Sequence, residues 1–292
     1  MIIWDLSNIY GGDVRYLRSR FPDGQPHLQV LNRKDLRPDN GPIEIITNIR
    51  SAEDVLELGM ALDIVRRWSG FEQVGLTIGY LMGARMDRAI DDTQPLTLKV
   101  ILAFLRSVVG VFETVRVLDV HSDIGAAIFA PKVLERLQPT RLWTRAISGM
   151  TPLTGEPPTI VSPDEGALLR YRELDTSGIA GTAYCVKHRD PQTGRLSGFK
   201  LVDGDVKGKH CLIIDDICDG GGTFVGLAKV LREAGAESVN LCVTHGLFAK
   251  GLPLEGIDDI WTTDTVCHRT GTSDLHVMHN YLLDEVKSWA TK

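Results

Sequence analysis

Residues 211–231, CLIIDDICDGGGTFVGLAKVL, constrain the fold of this chain more than any other stretch. Cys211, Leu212, Ile213 and Ile214 form an apolar run that ends at the Asp215–Asp216 pair. Its length and content suit a strand buried on both faces, as in parallel sheets covered by helices. Asp219-Gly220-Gly221-Gly222-Thr223 interrupts the run, and an amphipathic segment follows over Thr223–Ala234. The expectation is strand, tight loop, helix. Glycines accept positive φ and let backbone N–H groups close on an anion, and a helix N-terminus adds partial positive charge. Residues 219–223 are thus a candidate phosphate cradle, to which the Thr223 hydroxyl can add. Asp215 and Asp216 would repel a bare phosphate. They make sense if carboxylates hold ribose hydroxyls or a Mg²⁺ ion, with the phosphate seated beyond them.

The same alternation runs through most of the chain. Strands are expected at Ile43–Thr47, Val74–Tyr80, Val115–Val120, Ala183–Lys187, Cys211–Ile214 and Ser238–Thr244. Helices are expected at Ser51–Ser69, Thr97–Val109, Pro131–Leu137, Asp164–Leu174, Thr223–Ala234 and Tyr281–Trp289. Near the N-terminus, Tyr16–Phe21 and His27–Val30 flank PDGQP, a turn sequence. The fold class is α/β with largely parallel sheets. LAFLRSVVGVFETVRVLDVHSD (102–123) and LAKVLREAGAESVNLCVTHGL (227–247) share one layout of helix, glycine and apolar strand ending in His. That echo suggests two similar domains, 1–143 and 144–292, with SGMTPLTGEPPT (148–159) as the most linker-like segment.

Composition narrows the function classes. Hydrophobic residues make up 43% of the chain and charged residues 24%, as a packed globular protein requires. The net charge of −6 argues against a broad nucleic-acid surface. No apolar run approaches the roughly 18–20 residues of a membrane span. MIIWDLSNIYGGD lacks the basic and small-residue features of a secretion signal. The five cysteines form no CxxC pair, so reduced thiols in a cytoplasmic protein are expected.

LIIDDICDGGGT resembles the PRPP loop shared by type I phosphoribosyltransferases and ribose-phosphate diphosphokinases, the PRPP synthetases. The resemblance to the synthetases extends over most of the chain. It implies two similar type I phosphoribosyltransferase domains, each a mainly parallel sheet flanked by helices. RFPDGQPHLQV (20–30) is similar to the synthetase segment that meets the adenine of ATP, usually from a neighbouring subunit. That likeness implies Phe21 stacked on the base, with Asp23 and Gln25 at its edge. GARMDR (83–88) resembles A-R-Q-D-R/K, placing Arg85 at the ATP phosphates and Asp87 as an organiser of the loop. Met86 stands where the family usually has Gln.

VLDVHSD (117–123) resembles the strand ending in D-L-H-S, which implies His121 at ATP phosphate or as a Mg²⁺ ligand. VSPDEGALLR (161–170) resembles S-P-D-x-G and implies Asp164 at Mg²⁺ and a ribose hydroxyl. Asp164 also suits a helix N-cap. YCVKHRDPQTGRLSGFK (184–200) places Lys187 and Arg189 at the family's catalytic K-x-R pair on a flexible loop. THGLFAKG (244–251) resembles the turn that closes the ribose-phosphate site, with Ala249 near a family hydroxyl residue.

The resemblance implies Mg²⁺-dependent transfer of the diphosphate of ATP to the C1 hydroxyl of ribose 5-phosphate. Asp215, Asp216, Asp219, Gly220, Gly221, Gly222 and Thr223 would bind the acceptor. It also implies a homo-oligomer with ATP sites shared between subunits, and no nucleic-acid or membrane partner. One departure bears on the acceptor. The common D-T-x-G-T loop here reads D-G-G-G-T, and Gly220 removes a side chain. The roomier loop leaves a 5′-extended ribose such as ADP-ribose open as an alternative. A phosphoribosyltransferase and a non-catalytic regulatory homologue remain further alternatives.

Overall fold

The computed structural model describes residues 1–71, 73–89, 91–109, 114–121, 134–164, 174–189, 196–267 and 273–290. The chain divides into two units, Met1–Leu137 with Asn280–Lys292, and Gln138–His279.

The first unit is built on a parallel sheet of β1 (Ile2–Asp5), β4 (Ile43–Ile49), β5 (Val74–Leu81), β6 (Thr114–Leu118) and β7 (Leu134–Leu137), in that order. The β4 residues are buried along their whole length, as a central strand covered on both faces must be. Its core gathers Trp4, Ile45, Leu76, Ile78 and Val117. Helix α1 (Ala52–Arg66) begins with a capping box: the Ser51 hydroxyl accepts from the Asp54 N–H, and the Asp54 carboxylate accepts from the Ser51 N–H. Helix α2 (Thr97–Val109) leads into β6. A separate antiparallel hairpin pairs β2 (Tyr16–Arg20) with β3 (Pro26–Val30).

The second unit carries a seven-stranded sheet of β8 (Thr159–Ser162), β9 (Gly181–Arg189), β10 (Leu196–Asp203), β11 (His210–Cys218), β12 (Ser238–Gly246), β13 (Ile260–Thr263) and β14 (Leu275–Met278). Their order is β10-β9-β8-β11-β12-β13-β14, and only the edge pair β10–β9 is antiparallel. Helix α3 (Thr140–Thr154) packs against β12 and β13, and α4 (Gly222–Glu233) against β10 and β12. A Cβ at Gly226 would come within 2.6 Å of the Phe199 ring, so this glycine lets α4 lie close on β10.

Four expectations change. Residues 134–137 form an edge strand rather than the end of a helix. Leu134 and Leu137 share a helical spacing, but the open side of β6 pairs with the segment, and Arg116 donates to Glu135 across it at 2.8 Å. The remainder of that expected helix, 131–133, lies outside the described residues, as does 165–173 of the helix expected at Asp164–Leu174.

Residues 148–154 continue α3 instead of forming a linker. The Thr151 and Thr154 hydroxyls donate back to the Ile147 and Met150 carbonyls, and left-handed Gly155 ends the helix. The division therefore falls before α3, at Leu137, rather than at 143. Finally, the C-terminal helix α5 (Tyr281–Ala290) belongs to the first unit, where the Arg116 guanidinium lies 4.3 Å from the Trp289 ring centre.

Candidate active site

In the second unit, a short strand makes the site. Strand β8 lies between β9 and β11 and stops at Ser162, whose partner is Tyr184. Strand β9 continues to Arg189. On the other side, β8 pairs with β11 only as far as Val161↔Ile213, and β11 continues to Cys218. A notch results at the carboxyl edge, where ligands of open α/β sheets bind. Lys187 and Arg189 lie on one wall, and Asp215 and Asp216 on the other. Asp164 follows β8 at the floor, where the Ser162 hydroxyl donates to the Asp164 carbonyl at 2.6 Å. The side chains of Lys187 and Arg189 lie outside the described residues.

Asp215 and Asp216 stand within β11 rather than after it, a correction to the expected end at Ile214. The strand is prolonged because β12 remains beside it as far as Cys218↔Gly246. Period-two alternation then buries Asp216, at 4% exposure, and leaves Asp215 partly open. The Asp216 N–H donates to the Asp215 carboxylate at 2.9 Å.

Beyond the strand, Asp219 is exposed, Gly220 and Thr223 are half-buried, and Gly222 is exposed. Gly221 caps α4 with a left-handed φ of 77° and supplies no side-chain cap. Phe224 N–H and Val225 N–H both donate to Gly221 O, so the N–H groups of Gly222 and Thr223 precede the first intrahelical bonds and are available to an anion. The turn 247–251 is laced to this loop: Leu247 N–H donates to Cys218 O at 2.9 Å and Ala249 N–H to Asp219 O at 2.9 Å. Just before it, buried His245 is held by its Nδ1 at 2.9 Å from the Thr265 hydroxyl.

The first unit gathers the other expected residues. Phe21, Asp23 and Gln25 form the hairpin tip, where Phe21 N–H donates to Gln25 O and Gln25 N–H to the Asp23 carboxylate. Phe21 is 49% exposed, so it is not a core residue. The hairpin is tied to α1 by ion pairs from Arg18 to Glu57 and from Arg20 to Glu53. Arg85 and Asp87 follow β5, the former exposed and the latter buried. His121 follows β6, the neighbouring strand, so these three lie at adjacent carboxyl ends.

The two residues expected to meet a metal, His121 and Asp164, lie on different units. Among the described residues no group of three His, Cys, Asp or Glu side chains forms a metal cage. Burial pushes the Cys211 thiol up to about 12 and Cys185 to about 11, which disfavours the nucleophilic thiolate at both.

Residues 144–266 match the phosphoribosyl transferase domain family. A ribose-phosphate pyrophosphokinase of Thermococcus kodakarensis is 30% identical over 257 residues, covering 85% of this chain and 84% of its own. The chain belongs to the ribose-phosphate pyrophosphokinase family. It is an enzyme of the diphosphotransferase class. A pyrophosphokinase of the same name from Shewanella oneidensis is 31% identical over 265 residues, covering 85% of this chain and 77% of its own.

The fold agrees. The solved phosphoribosylpyrophosphate synthetase of Mycobacterium smegmatis superposes with a TM-score of 0.73 at 22% identity, over 95% of this chain and 90% of that one. The units are thus the expected α/β layers of the type I phosphoribosyltransferase fold. Among pyrophosphokinase residues that sequence reasoning left unassigned, Lys250 stands out. Its aliphatic stem lies across Gly220, a contact no linear motif reveals.

Proposed function

We propose that the protein transfers the diphosphate of ATP to the C1 hydroxyl of ribose 5-phosphate, giving PRPP and AMP. The supporting observation is the notch beyond β8, with a basic pair on the β9 wall, two carboxylates on the β11 wall and a glycine loop following β11. The acceptor's 5′-phosphate sits against residues 219–223, and its ring hydroxyls meet Asp215 and Asp216. The C1 oxygen then attacks the β-phosphorus in line. Its bond to phosphorus forms as the bridging bond to the α-phosphate breaks, AMP departs, and the hydroxyl proton is released.

Lys187 and Arg189 close over the phosphates and stabilise charge on the bridging oxygen, the term expected to dominate such a reaction. Phe21, Asp23 and Gln25 hold the adenine, and Arg85 and His121 the phosphates, with Asp87 ordering the loop around Arg85.

Mg²⁺ fits the donor chemistry. Asp164 offers hard carboxylate oxygen, and a Mg²⁺ ion binds through one or two such groups with substrate phosphates and water rather than an all-protein cage. Asp164 would hold it, and when bound it would neutralise phosphate charge. The exposed hairpin tip supports a homo-oligomer in which Phe21 serves a neighbouring subunit's ATP. Five buried free thiols support a reducing, cytoplasmic setting.

A second reading, a 5′-extended acceptor such as ADP-ribose, rests on Gly220, where the family threonine hydroxyl that would grip a terminal phosphate is absent. The Lys250 stem lines the space beside it, so the loop is not the open one expected from sequence. The test is AMP release from ATP and Mg²⁺ with each acceptor in turn. Release with ribose 5-phosphate supports the first reading, and release with ADP-ribose alone supports the second. Release with neither refutes both.

A further inference from the structure

The Gly220–Lys250 contact separates this loop from the D-T-x-G-T pattern that it otherwise resembles. A Cβ built at Gly220 would meet the Lys250 stem at 3.2 Å from Cδ, 3.2 Å from Cε and 3.3 Å from Cγ. The stem thus lies in tight contact with the place where a threonine side chain would begin. Its position is set by the backbone. Leu247 N–H and Phe248 N–H both donate to Cys218 O, Ala249 N–H donates to Asp219 O, and Gly251 N–H closes the turn on Phe248 O.

Phe248 anchors the turn from below. It is buried at 2% exposure, holds a left-handed φ of 48°, and its ring lies where a Cβ at Gly246 would go. Lys250 is exposed, and among the described residues it has no ion-pair partner although Asp219 neighbours its turn. A fixed turn therefore carries an ammonium group without an ion pair on a stem that lies against the glycine loop.

We infer that Lys250 binds the phosphate on C5 of the acceptor ribose, replacing with a cation the hydroxyl that Gly220 removes. The inference rests on the pyrophosphokinase reading for which phosphate is bound, and goes beyond it in naming this residue. An ammonium on a flexible stem acts as a point charge and does not require a monoester. It serves the terminal phosphate of ribose 5-phosphate and the C5-linked phosphate of ADP-ribose alike, whereas a hydroxyl packed into the loop favours the smaller group. Lys250 and Gly220 thus work as a pair: the glycine makes the space and the lysine fills it with charge.

The test uses full-length protein. Lys250→Met keeps the stem and removes the charge. It is expected to raise the acceptor KM about 10–100-fold, as loss of one charge-assisted phosphate contact should. The ATP KM and kcat should each stay within about threefold, the split that a positioning role in chemistry would not give. Lys250→Arg should restore most of the affinity. Gly220→Ala should raise the acceptor KM in the wild-type background and have a smaller effect beside Lys250→Ala, where no stem remains to be displaced.

Parallel arms with ribose 5-phosphate and ADP-ribose show which ester the lysine serves. Calorimetric titration with ribose 5-phosphate provides a readout independent of turnover. If wild-type protein releases no AMP yet binds the ester in a Lys250-dependent way, the reaction is refuted and the binding role stands. If AMP is released and Lys250→Met leaves acceptor KM and affinity unchanged, the inference falls and the reaction stands.

Discussion

Gly221 and Gly222 are neighbours in one loop, yet the same substitution should move stability in opposite directions. Gly221 has a φ of 77°, and a Cβ there would drive into the Cδ2 methyl of Leu254, a buried side chain. Holding alanine in the left-handed region costs about 1–2 kcal/mol. Forcing a methyl into packed surroundings adds about 1–3 kcal/mol. The reduced entropy of the unfolded chain returns about 0.4–1 kcal/mol. Gly221→Ala should therefore lose about 2–4 kcal/mol, a large share of the roughly 5–15 kcal/mol that holds a domain folded.

Gly222 has no positive φ and nothing within 4 Å of its built Cβ, and it opens α4. Gly222→Ala should gain up to about 1 kcal/mol. The assay is urea denaturation followed by circular dichroism. At a slope of about 2 kcal/mol/M, Gly221→Ala should lower the midpoint by about 1–2 M. If the two units unfold in separate steps, only the step of the second should move. A Gly221→Ala midpoint equal to wild type, or an equal loss in Gly222→Ala, would refute the reasoning from backbone conformation and Leu254.

Three further outcomes are expected. Lys187→Ala and Arg189→Ala should each lower kcat about 10²–10³-fold while leaving ribose 5-phosphate affinity by calorimetry within about threefold, the outcome that the role proposed for their charge at the bridging oxygen predicts. Arg116→Met strips the buried Glu44 of a cation 3.4 Å away, leaves the Thr77 hydroxyl at 2.6 Å, and removes the contact with Trp289. A loss of about 3 kcal/mol is expected by denaturation. Burial already pushes the Glu44 carboxyl up, and losing Arg116 pushes it further. A folded-state carboxyl raised above its unfolded value loses stability as pH rises, so the penalty should be larger at pH 8 than at pH 5.

The thiols give the remaining test. All five cysteines are buried, so iodoacetamide at pH 8 should label the native protein slowly and the urea-unfolded protein at all five. Burial raises Cys185 from 9.0 to about 11 and Cys211 to about 12, so only unfolded thiols ionise between those values. Stability should fall as pH climbs above 9, and a flat stability profile across that window would contradict the burial.

Local patterns carried what local forces decide. The Ser51–Asp54 capping box, the Thr97–Val109 helix, the hairpin around Asp23-Gly24 and the strand–loop–helix at 211–231 are each specified by a few adjacent residues, and each is legible in order. The family resemblance was legible for the same reason, because its motifs are contiguous. What pairing decides was not. The edge strand at Leu134–Leu137 reads as a helix until β6 offers it hydrogen bonds. The Thr- and Gly-rich end of α3 reads as a linker until its hydroxyls turn back on the helix.

The tertiary structure alone set the order β9-β8-β11, which brings Lys187, Asp164 and Asp215 to one notch although they are far apart in sequence. It alone returned the C-terminal helix to the first unit and laid Lys250 over Gly220. Sequence by itself fixes which φ, caps and charges a segment can supply, because these depend on neighbouring residues. Which segments meet depends on burial and strand pairing across the whole chain, and no local pattern records it.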